Sequence, residues 1–393
     1  MCLIPIKDVH IMEPTKNETL LTRNFLLTSF STVAIFTSFY FLLVTLPIYI
    51  LQLGGTESQI GLIIGVFTIS AVLLRPFMGR EVDRRGRKNM LLAGSLVFLL
   101  SMLLYNYTTS VTALLLLRVF HGIGWGAATT AASTLIADIA PPSRRGEAMG
   151  IYGMSSNVAM AIGPALSFWL LYASGVPDFP RLFDVSALIA LVSLLLVLPI
   201  TETGAVHPKT SLFSKEALFP SALMFSVTLT YGSIVSFLSL LAQEKGMGNP
   251  GIFFTVFAVT LVLVRALAGK LSDSRGRKAV IVPGMLIITL GLFVLSIANS
   301  FSLFIAAAFL YGLGFGLVHP TIMALLVDRV SDRTRGAAMG TFTAAFDLGI
   351  GLGSIVLGVV LQYFGFMAMY LLGGLIVFAA AIWFIAMKDK KGM

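Results

Sequence analysis

The chain has 393 residues, of which 57% are hydrophobic and 11% are charged, and its formal net charge is +9. A soluble protein is about half apolar and about a quarter charged, so this chain has too few charges to cover a soluble globule. The composition therefore excludes an ordinary soluble domain and predicts an all-α polytopic membrane protein. The single cysteine, Cys2, excludes an intramolecular disulfide and a cysteine-rich metal site.

The N-terminal segment, 1–23, is polar and lacks the apolar core of a signal peptide, so we expect a flexible cytoplasmic tail. Long apolar segments follow it, and a helix needs about 20 apolar residues to span a bilayer. The region 24–200 predicts six spans: 24–51, 58–79, 89–107, 112–138, 146–172 and 182–199.

A short polar linker, 201–216, leads to a second group of apolar segments, 217–387, and the chain ends in a polar tail, 388–393. The second group predicts six further spans: 217–243, 251–268, 279–298, 301–327, 336–363 and 366–387. We therefore expect 12 transmembrane helices in two six-helix bundles, a first half of residues 24–200 and a second half of residues 217–387.

A sequence repeat relates the two halves. The segment Gly79–Lys88 reads GREVDRRGRK and the segment Gly269–Lys278 reads GKLSDSRGRK, so the offset is 269 − 79 = 190 residues. The same offset relates further pairs: Arg75 with Arg265, Gly122 with Gly312, and Asp138 with Asp328. A fixed period that carries both charges and glycines indicates two homologous halves.

Basic residues are concentrated in alternate loops. Of the 27 Lys and Arg, 22 lie in the two tails or in the segments 80–88, 144–145, 209–215, 270–278 and 329–335. Basic loops of a membrane protein face the cytoplasm. We therefore predict a multi-pass protein of the plasma (inner) membrane with both termini and the linker in the cytoplasm. The bases would contact membrane lipids rather than nucleic acid.

The segment between the second and third spans carries the most specific motif of the chain. It resembles the signature loop of the major facilitator superfamily through Gly79, Asp83, Arg84, Gly86, Arg87 and Lys88. A weaker copy in the second half includes Asp273 and Arg277. The resemblance covers about residues 24–388 and departs from the usual loop at Glu81.

Two other spans carry the same resemblance. The fourth span resembles the fourth-helix motif of that superfamily through Arg118, Gly122 and Gly126. The fifth span resembles the fifth-helix motif of its 12-helix drug/proton antiporter branch through Gly150, Gly163 and Pro164. It departs from that motif at Ala159, Ser167 and Phe168.

The resemblance implies a fold and a mechanism. The two bundles would be related by an axis along the membrane normal, and a small-molecule substrate would bind between them near the midplane. One bundle would rock against the other. Small residues let membrane helices approach closely and slide, which assigns a packing role to Gly150, Gly163, Pro164 and Gly353. The alternative for these positions is tight static packing.

The charged loops predict a gate at the cytoplasmic face that holds the outward-open state. Asp83 would meet the start of the eleventh span near Arg335, and Asp273 would meet the start of the fifth span near Arg145. Arg84 or Arg87 would pair with Asp138. The alternative is that these charges act only as a topology signal.

Three arginines lie within predicted spans. Arg75 and Arg265 each precede a loop glycine by one turn, so they could reach the cytoplasmic surface, act in the gate or bind an anionic substrate. Arg118 shares a helix face with His121. Three roles are open for Arg118: substrate binding, proton coupling, and a structural hydrogen bond to a neighbouring helix. His319, which precedes a proline, is a further candidate for coupling.

One acid, Asp347, lies deep in a predicted span. It follows Arg335 by twelve residues, or about 18 Å of helix rise, which places it near the midplane. Such an acid could exchange a proton, bind a cationic group of the substrate, or form a hydrogen bond with Asn157. Proton coupling through Asp347 is the leading prediction.

These observations favour a secondary active transporter that exports small amphipathic organic molecules in exchange for protons. Two alternatives remain. One is a dedicated exporter of a metabolite or opine-type metallophore, because the segments 347–351 and 249–265 resemble those of opine-metallophore exporters. The other is an importer of a sugar or organic acid. The chain lacks the phosphate-binding pattern GxxxxGK[ST] and a metal-ligand cluster. We therefore predict no enzymatic activity, no cofactor and no metal, and we expect a monomer.

Overall fold

The computed structural model describes residues 19–141, 144–202, 214–330 and 335–387. The regular elements of these ranges are helices, and no strand occurs in them. A 3₁₀ turn, Tyr105–Tyr107, follows the third helix. The helices are α1 Arg23–Gln52, α2 Glu57–Arg85, α3 Arg87–Leu104, α4 Val111–Ile139, α5 Arg145–Leu171, α6 Phe179–Val197, α7 Leu218–Glu244, α8 Gly251–Arg275, α9 Lys278–Ser296, α10 Phe301–Arg329 and α11 Arg335–Ala386.

The last helix, α11, contains two membrane spans. Its 52 residues would rise about 78 Å as one straight helix, more than twice the thickness of a bilayer core of about 30 Å. The helix is broken at Gly365, whose φ of 78° is not helical. Its two arms and the ten helices before it give the twelve spans that the sequence predicts, which confirms the fold class.

The predicted extent of the signature loop was wrong. The sequence predicted a loop over 80–88, but α2 continues to Arg85, because Arg and Glu are good helix formers and prolong the helix beyond its apolar part. The same holds for α8, which continues to Arg275. The chain turns at Gly86 and Gly276, with φ of 94° and 87°, a backbone conformation that glycine adopts readily.

Close helix contacts within each half obey the same 190-residue offset. A Cβ atom built at Gly124 of α4 would lie 2.7 Å from the amide nitrogen of Phe98 in α3. A Cβ atom built at Gly314 of α10 would lie 2.8 Å from the amide nitrogen of Ile288 in α9, the residue that the offset relates to Phe98. Since glycine has no side chain, both helix pairs pack backbone against backbone.

The two halves meet at one end of the molecule. We call the end that carries the charged segments around Gly86 and Gly276 the basic end, and the other end the opposite end. At the opposite end, Gly61 of α2 packs against the backbone of α11 at Ser354, and Gly251 of α8 packs against the backbone of α5 at Ala165. Gly61 and Gly251 are themselves related by the offset, so the contact is pseudo-symmetric.

The halves are apart at the basic end. A Cβ atom built at any of four glycines on α2, α5, α8 and α11 would meet nothing within 4 Å in the described part of the chain: Gly79, Gly150, Gly269 and Gly340. These helices are the ones that touch across the halves at the opposite end. The conformation is therefore closed at the opposite end and open at the basic end.

Candidate functional site

A cavity of about 370 Å³ lies between the two halves. Its lining comes from α1, α2, α4 and α5 of the first half and from α7, α8, α10 and α11 of the second half. The offset of 190 residues relates many of the lining residues to one another, such as Phe67 to Phe257 and Trp125 to Phe315. Both halves therefore build the site from equivalent positions.

The wall of the cavity toward the opposite end is aromatic. Phe39 stacks on Phe67 with ring centroids 5.3 Å apart and on Trp125 at 4.4 Å. In the second half, Tyr231 stacks on Phe257 at 5.7 Å. Such a surface suits the apolar body of a ligand and buries it without a need for hydrogen bonds.

Polar side chains form a separate layer nearer the basic end. Each lies ten to twelve residues from the basic end of its helix, which corresponds to about 15–18 Å of rise. The aromatic residues Phe67 and Phe257 lie eight residues deeper on α2 and α8. The main members of this polar layer are Arg75, Asn157, Arg265, His319 and Asp347.

Arg75 and Asp347 form an ion pair across the two halves. The Nη2 atom of Arg75 on α2 lies 2.7 Å from the Oδ2 atom of Asp347 on α11. Their side chains retain 27% and 17% of their exposure, so the pair is reachable from the cavity. Asp347 is the only acid among the described residues that line the cavity. The carboxylate that the sequence singled out therefore lies opposite a base from the other half.

Different residues occupy the pseudo-symmetric positions. Arg265 corresponds to Arg75, and Asn157 corresponds to Asp347, and both residues line the cavity. Arg265 is exposed, and it makes no ion pair with any of the described residues. His319 lies nearby on α10, where its ring stacks on Phe315 with centroids 5.9 Å apart.

Arg118 and His121 lie outside the cavity lining. Arg118 is fully buried, and its Nε atom donates a hydrogen bond to the carbonyl oxygen of Ile63 on α2 at 3.3 Å. Its guanidinium lies 4.1 Å from the ring centroid of Phe67. His121 Nδ1 lies 3.0 Å from the Tyr105 hydroxyl. The bond from Arg118 to α2 is a hydrogen bond to a neighbouring helix, which is one of the alternatives that the sequence leaves open for this residue.

At the basic end of the first half, Arg87 pairs with Asp138. The Nε atom of Arg87 lies 2.7 Å from Asp138 Oδ2, and the two side chains are only 3% and 1% exposed. Glu202, which follows α6, accepts hydrogen bonds from the backbone N–H groups of Arg87 at 2.7 Å and Lys88 at 3.1 Å. A carboxylate at a helix N-terminus is favourable because the first N–H groups of the helix are unpaired.

The second half has an equivalent but more exposed pair. Arg277 Nε lies 2.8 Å from Asp328 Oδ2, and Asp273 also pairs with Arg277. The Asp328 carboxylate accepts a hydrogen bond from the Arg277 guanidinium, and this raises the pKa of Arg277. Asp273 therefore lies beside its own half in this conformation. Arg145, its predicted neighbour, donates to the carbonyl oxygen of Ala137 at 3.0 Å.

The remaining predicted gate residues are placed as follows. Arg84 is exposed and lies 3.8 Å from Glu81 of the same helix. The side chains of Asp83 and Arg335 lie outside the described residues, so the predicted contact between them does too. Among the residues that the structure describes, no group of three or more His, Cys, Asp and Glu is arranged to hold a metal ion.

The predicted packing residues lie in two environments. A Cβ atom at Gly163 would lie 3.1 Å from Tyr40 Cβ, and Pro164 contacts Gly251 across the halves. Gly353 packs directly against the backbone of α7 at Leu229. Gly150, in contrast, faces open space at the basic end.

Sequence reasoning missed the aromatic wall and the capping role of Glu202. The signal for the wall was present, because Phe67 and Phe257 each precede a repeated arginine by eight residues. Trp125 and Phe315 are a second repeated aromatic pair. No local pattern marks Glu202, whose partners lie more than a hundred residues earlier in the chain.

Two pseudo-symmetric helical halves around a cavity that is closed at one end define a membrane transporter rather than an enzyme. The chain belongs to the Major Facilitator Superfamily, whose family model matches residues 28–251 and 220–392.

Known proteins of this family resemble the chain over most of its length. The staphylopine export protein of Staphylococcus aureus is 24% identical over 378 residues, which are 89% of this chain and 92% of that protein. The multidrug resistance protein 2 of Bacillus subtilis is 25% identical over 368 residues, which are 87% of this chain and 89% of that protein. The crystal structure of the nucleoside transporter NupG superimposes with a TM-score of 0.76 at 16% identity and covers 93% of this chain and 99% of NupG, a likeness of fold.

Proposed function

We propose that the protein is a secondary active transporter that exports small amphipathic organic molecules in exchange for protons by alternating access. The observation that carries this proposal is the ion pair between Arg75 and Asp347, which joins the two halves inside the central cavity. The strength of an ion pair at this place depends both on the protonation of Asp347 and on the distance between the two halves.

The shape and lining of the cavity support a small organic substrate. Its volume of about 370 Å³ is in the range typical of small-molecule sites, about 300–1,000 Å³. Aromatic rings such as Phe67 and Trp125 would bury an apolar body, and the polar layer would hold a polar head group. The names of two relatives, a multidrug resistance protein and a staphylopine export protein, favour export.

The open basic end supports the direction of transport. If the basic loops face the cytoplasm, as their charge predicts, this conformation receives substrate from the cytoplasm. Rocking of the halves would then bring the open surfaces at Gly79 and Gly150 toward α11 and α8 and separate the contacts at Gly61 and Gly251. The cavity would open at the opposite end and release its substrate outside.

We assign the proposed proton coupling to the carboxylate of Asp347. In its ionised form it attracts Arg75, and in its protonated form this attraction is lost. Among the described residues that line the cavity, the other charged or titratable side chains are Arg265 on α8, His319 on α10, Tyr40 on α1 and Tyr231 on α7. A proton taken up from outside would free Arg75, and the protonated transporter would return to the conformation that is open to the cytoplasm. Loss of the proton there would restore the ion pair and complete the cycle.

The test is transport in proteoliposomes with an imposed pH gradient. We expect Asp347→Asn to abolish pH-driven transport of a substrate and to retain its counterflow at zero gradient, because the variant keeps the shape of the site and loses the titratable group. Glu244→Gln, the same acid-to-amide change at an exposed residue outside the cavity, is the control and should keep pH-driven transport. Wild-type pH-driven transport by Asp347→Asn would refute proton coupling through this residue.

A second candidate is a dedicated exporter of an opine-type metallophore. It is favoured by the resemblance to the staphylopine export protein, which extends over 89% of the chain. A resistance profile separates the two candidates. Protection of cells against many unrelated amphipathic compounds favours a broad exporter, whereas protection against none of them, together with export of an opine metallophore, favours the dedicated one.

A further inference from the structure

The two halves present the same arginine to the cavity but not the same acid. Arg75 and Arg265 are related by the offset of 190 residues, and so are Asp347 and Asn157. All four side chains line the cavity. The acid of the first pair is therefore replaced by a neutral amide in the second pair, and this replacement breaks the symmetry of the site.

The cavity consequently carries an excess of positive charge. Its one lining acid among the described residues, Asp347, lies 2.7 Å from Arg75 and compensates that arginine. Arg265 makes no ion pair within the described part of the chain, and its side chain is exposed. Two arginines and one aspartate leave one positive charge, and a charge within the membrane is costly unless a ligand or water compensates it.

Arg265 and Asn157 together provide donors for an anionic head group. A guanidinium can donate two parallel hydrogen bonds to a carboxylate, and these are about twice as strong as bonds between neutral groups. The amide of Asn157 offers two further donors and, unlike a carboxylate, does not repel an anion. We propose that Arg265 and Asn157 form an anion-binding subsite and that the preferred substrates are amphipathic organic monoanions, carboxylates with an aromatic or aliphatic body.

The aromatic wall lies at a suitable distance from this subsite. Phe257 lies eight residues before Arg265 on the same helix, which corresponds to about 12 Å of rise. Tyr231 stacks on Phe257 with ring centroids 5.7 Å apart. A carboxylate held at Arg265 would therefore leave space for a fused aromatic ring against Phe257. This inference rests on the proposed function, because it names the substrate class of the same cavity.

Equilibrium dialysis of the purified protein in detergent at neutral pH tests the inference. The probes share one aromatic body and differ in charge: naphthoate, naphthamide and naphthylmethylammonium. We expect the wild type to bind naphthoate about tenfold more tightly than naphthamide, because a charged hydrogen-bond pair forms only with the carboxylate. The cation should bind more weakly than either.

Two variants are expected to remove this preference by different routes. Arg265→Gln removes the charge, and Asn157→Asp supplies an acid that compensates it. Both should bring the ratio of the naphthoate and naphthamide affinities within about threefold of one, with the naphthamide affinity unchanged. Asn157→Asp should also strengthen binding of the cation. Thr129→Val, an uncharged change in the same cavity, is the control and should keep the wild-type ratio.

Equal affinities of the wild type for naphthoate and naphthamide would overturn the inference, and so would a wild-type ratio in both Arg265→Gln and Asn157→Asp. A transport assay separates this failure from failure of the proposed function. Equal affinities in a protein that still performs pH-driven export would overturn only the anion subsite. Charge-dependent binding in a protein that transports nothing in proteoliposomes would support the subsite and refute the proposed transport cycle.

Discussion

Arg87 and Asp138 form an ion pair of 2.7 Å at the start of α3 and the end of α4, and both side chains are almost completely buried. The equivalent pair of the second half, Arg277 and Asp328, has a similar distance of 2.8 Å, but its side chains are 19% and 42% exposed. The same contact therefore occurs twice in one chain with different burial. This provides an internal comparison of its energetic effect.

We predict that Asp138→Asn destabilises the protein strongly, by about 3–5 kcal/mol, because it removes one charge of a buried ion pair. Asp328→Asn should cost about 1 kcal/mol or less, since water can solvate the more exposed Arg277. Thermal unfolding of the purified variants in detergent measures both effects. Similar losses of apparent stability for the two variants would contradict the role that we assign to burial.

Much of the fold could be predicted from the sequence, because its signals are local or repeated. Runs of apolar residues mark the spans, and the offset that relates Gly79 to Gly269 gives the two halves without any knowledge of contacts. The sequence prediction ends α2 too early, because charged residues do not by themselves end a helix. Charge in this segment marks the membrane boundary, whereas Gly86 ends the helix itself.

The contacts of the site could not be predicted to the same extent. Arg75 and Asp347 are far apart in sequence, and which face of α2 meets α11 depends on how both helices rotate within their bundles. The position of Asp347 along its helix was predictable from helix rise, but its partner was not. Likewise, composition does not determine which end of the molecule is closed, since the contacts at Gly61 and Gly251 use small residues that also occur at the open end.

The closed contact at the opposite end predicts opposite effects for two glycine substitutions. Gly61→Val places a side chain against the backbone of Ser354 and should disfavour this conformation by about 1–3 kcal/mol, or about 5- to 150-fold in population. Gly150→Val meets open space here and would clash only when the basic end closes. It should therefore favour the present conformation.

Spin labels at Ser174 and Lys245, which lie in different halves at the opposite end, measure this shift. The distance between them should increase in Gly61→Val and remain at its shortest in Gly150→Val. The doubly labelled protein without either substitution is the reference. Equal distance distributions in all three proteins would show that the glycine contacts do not select the conformation.

The orientation in the membrane is predicted from the basic loops and can be tested by labelling. In a protein with Cys2 replaced by Ser, a cysteine at Ser110, before α4 at the opposite end, should react with an impermeant thiol reagent added outside intact cells. A cysteine at Ser274, near the basic end of α8, should react only after the cells are permeabilised. The reverse pattern would invert the topology and, with it, the proposed direction of transport.

Arg118 is predicted to act on the cavity through Phe67 and not by contact with substrate. It is fully buried, its Nε atom donates to the carbonyl oxygen of Ile63, and its guanidinium lies over the ring of Phe67, which lines the cavity. Arg118→Gln should lower thermal stability, since it removes both contacts of a buried charge with α2. Arg118→Lys should restore little of the lost thermal stability, because an ammonium group cannot reproduce the planar stacking of a guanidinium.

The charge dependence of binding distinguishes this role from direct substrate contact. If Arg118 only positions Phe67, Arg118→Gln should weaken the binding of naphthoate and of naphthamide by the same factor, because both probes present the same aromatic body to the aromatic wall. If Arg118 contacts the carboxylate directly, the substitution should weaken the binding of naphthoate alone. Leu117→Ala, a buried neighbour on α4 without a charged group, is the control for a general loss of packing. Selective loss of naphthoate binding in Arg118→Gln, with Leu117→Ala unselective, would show that Arg118 reaches the substrate in a conformation other than this one.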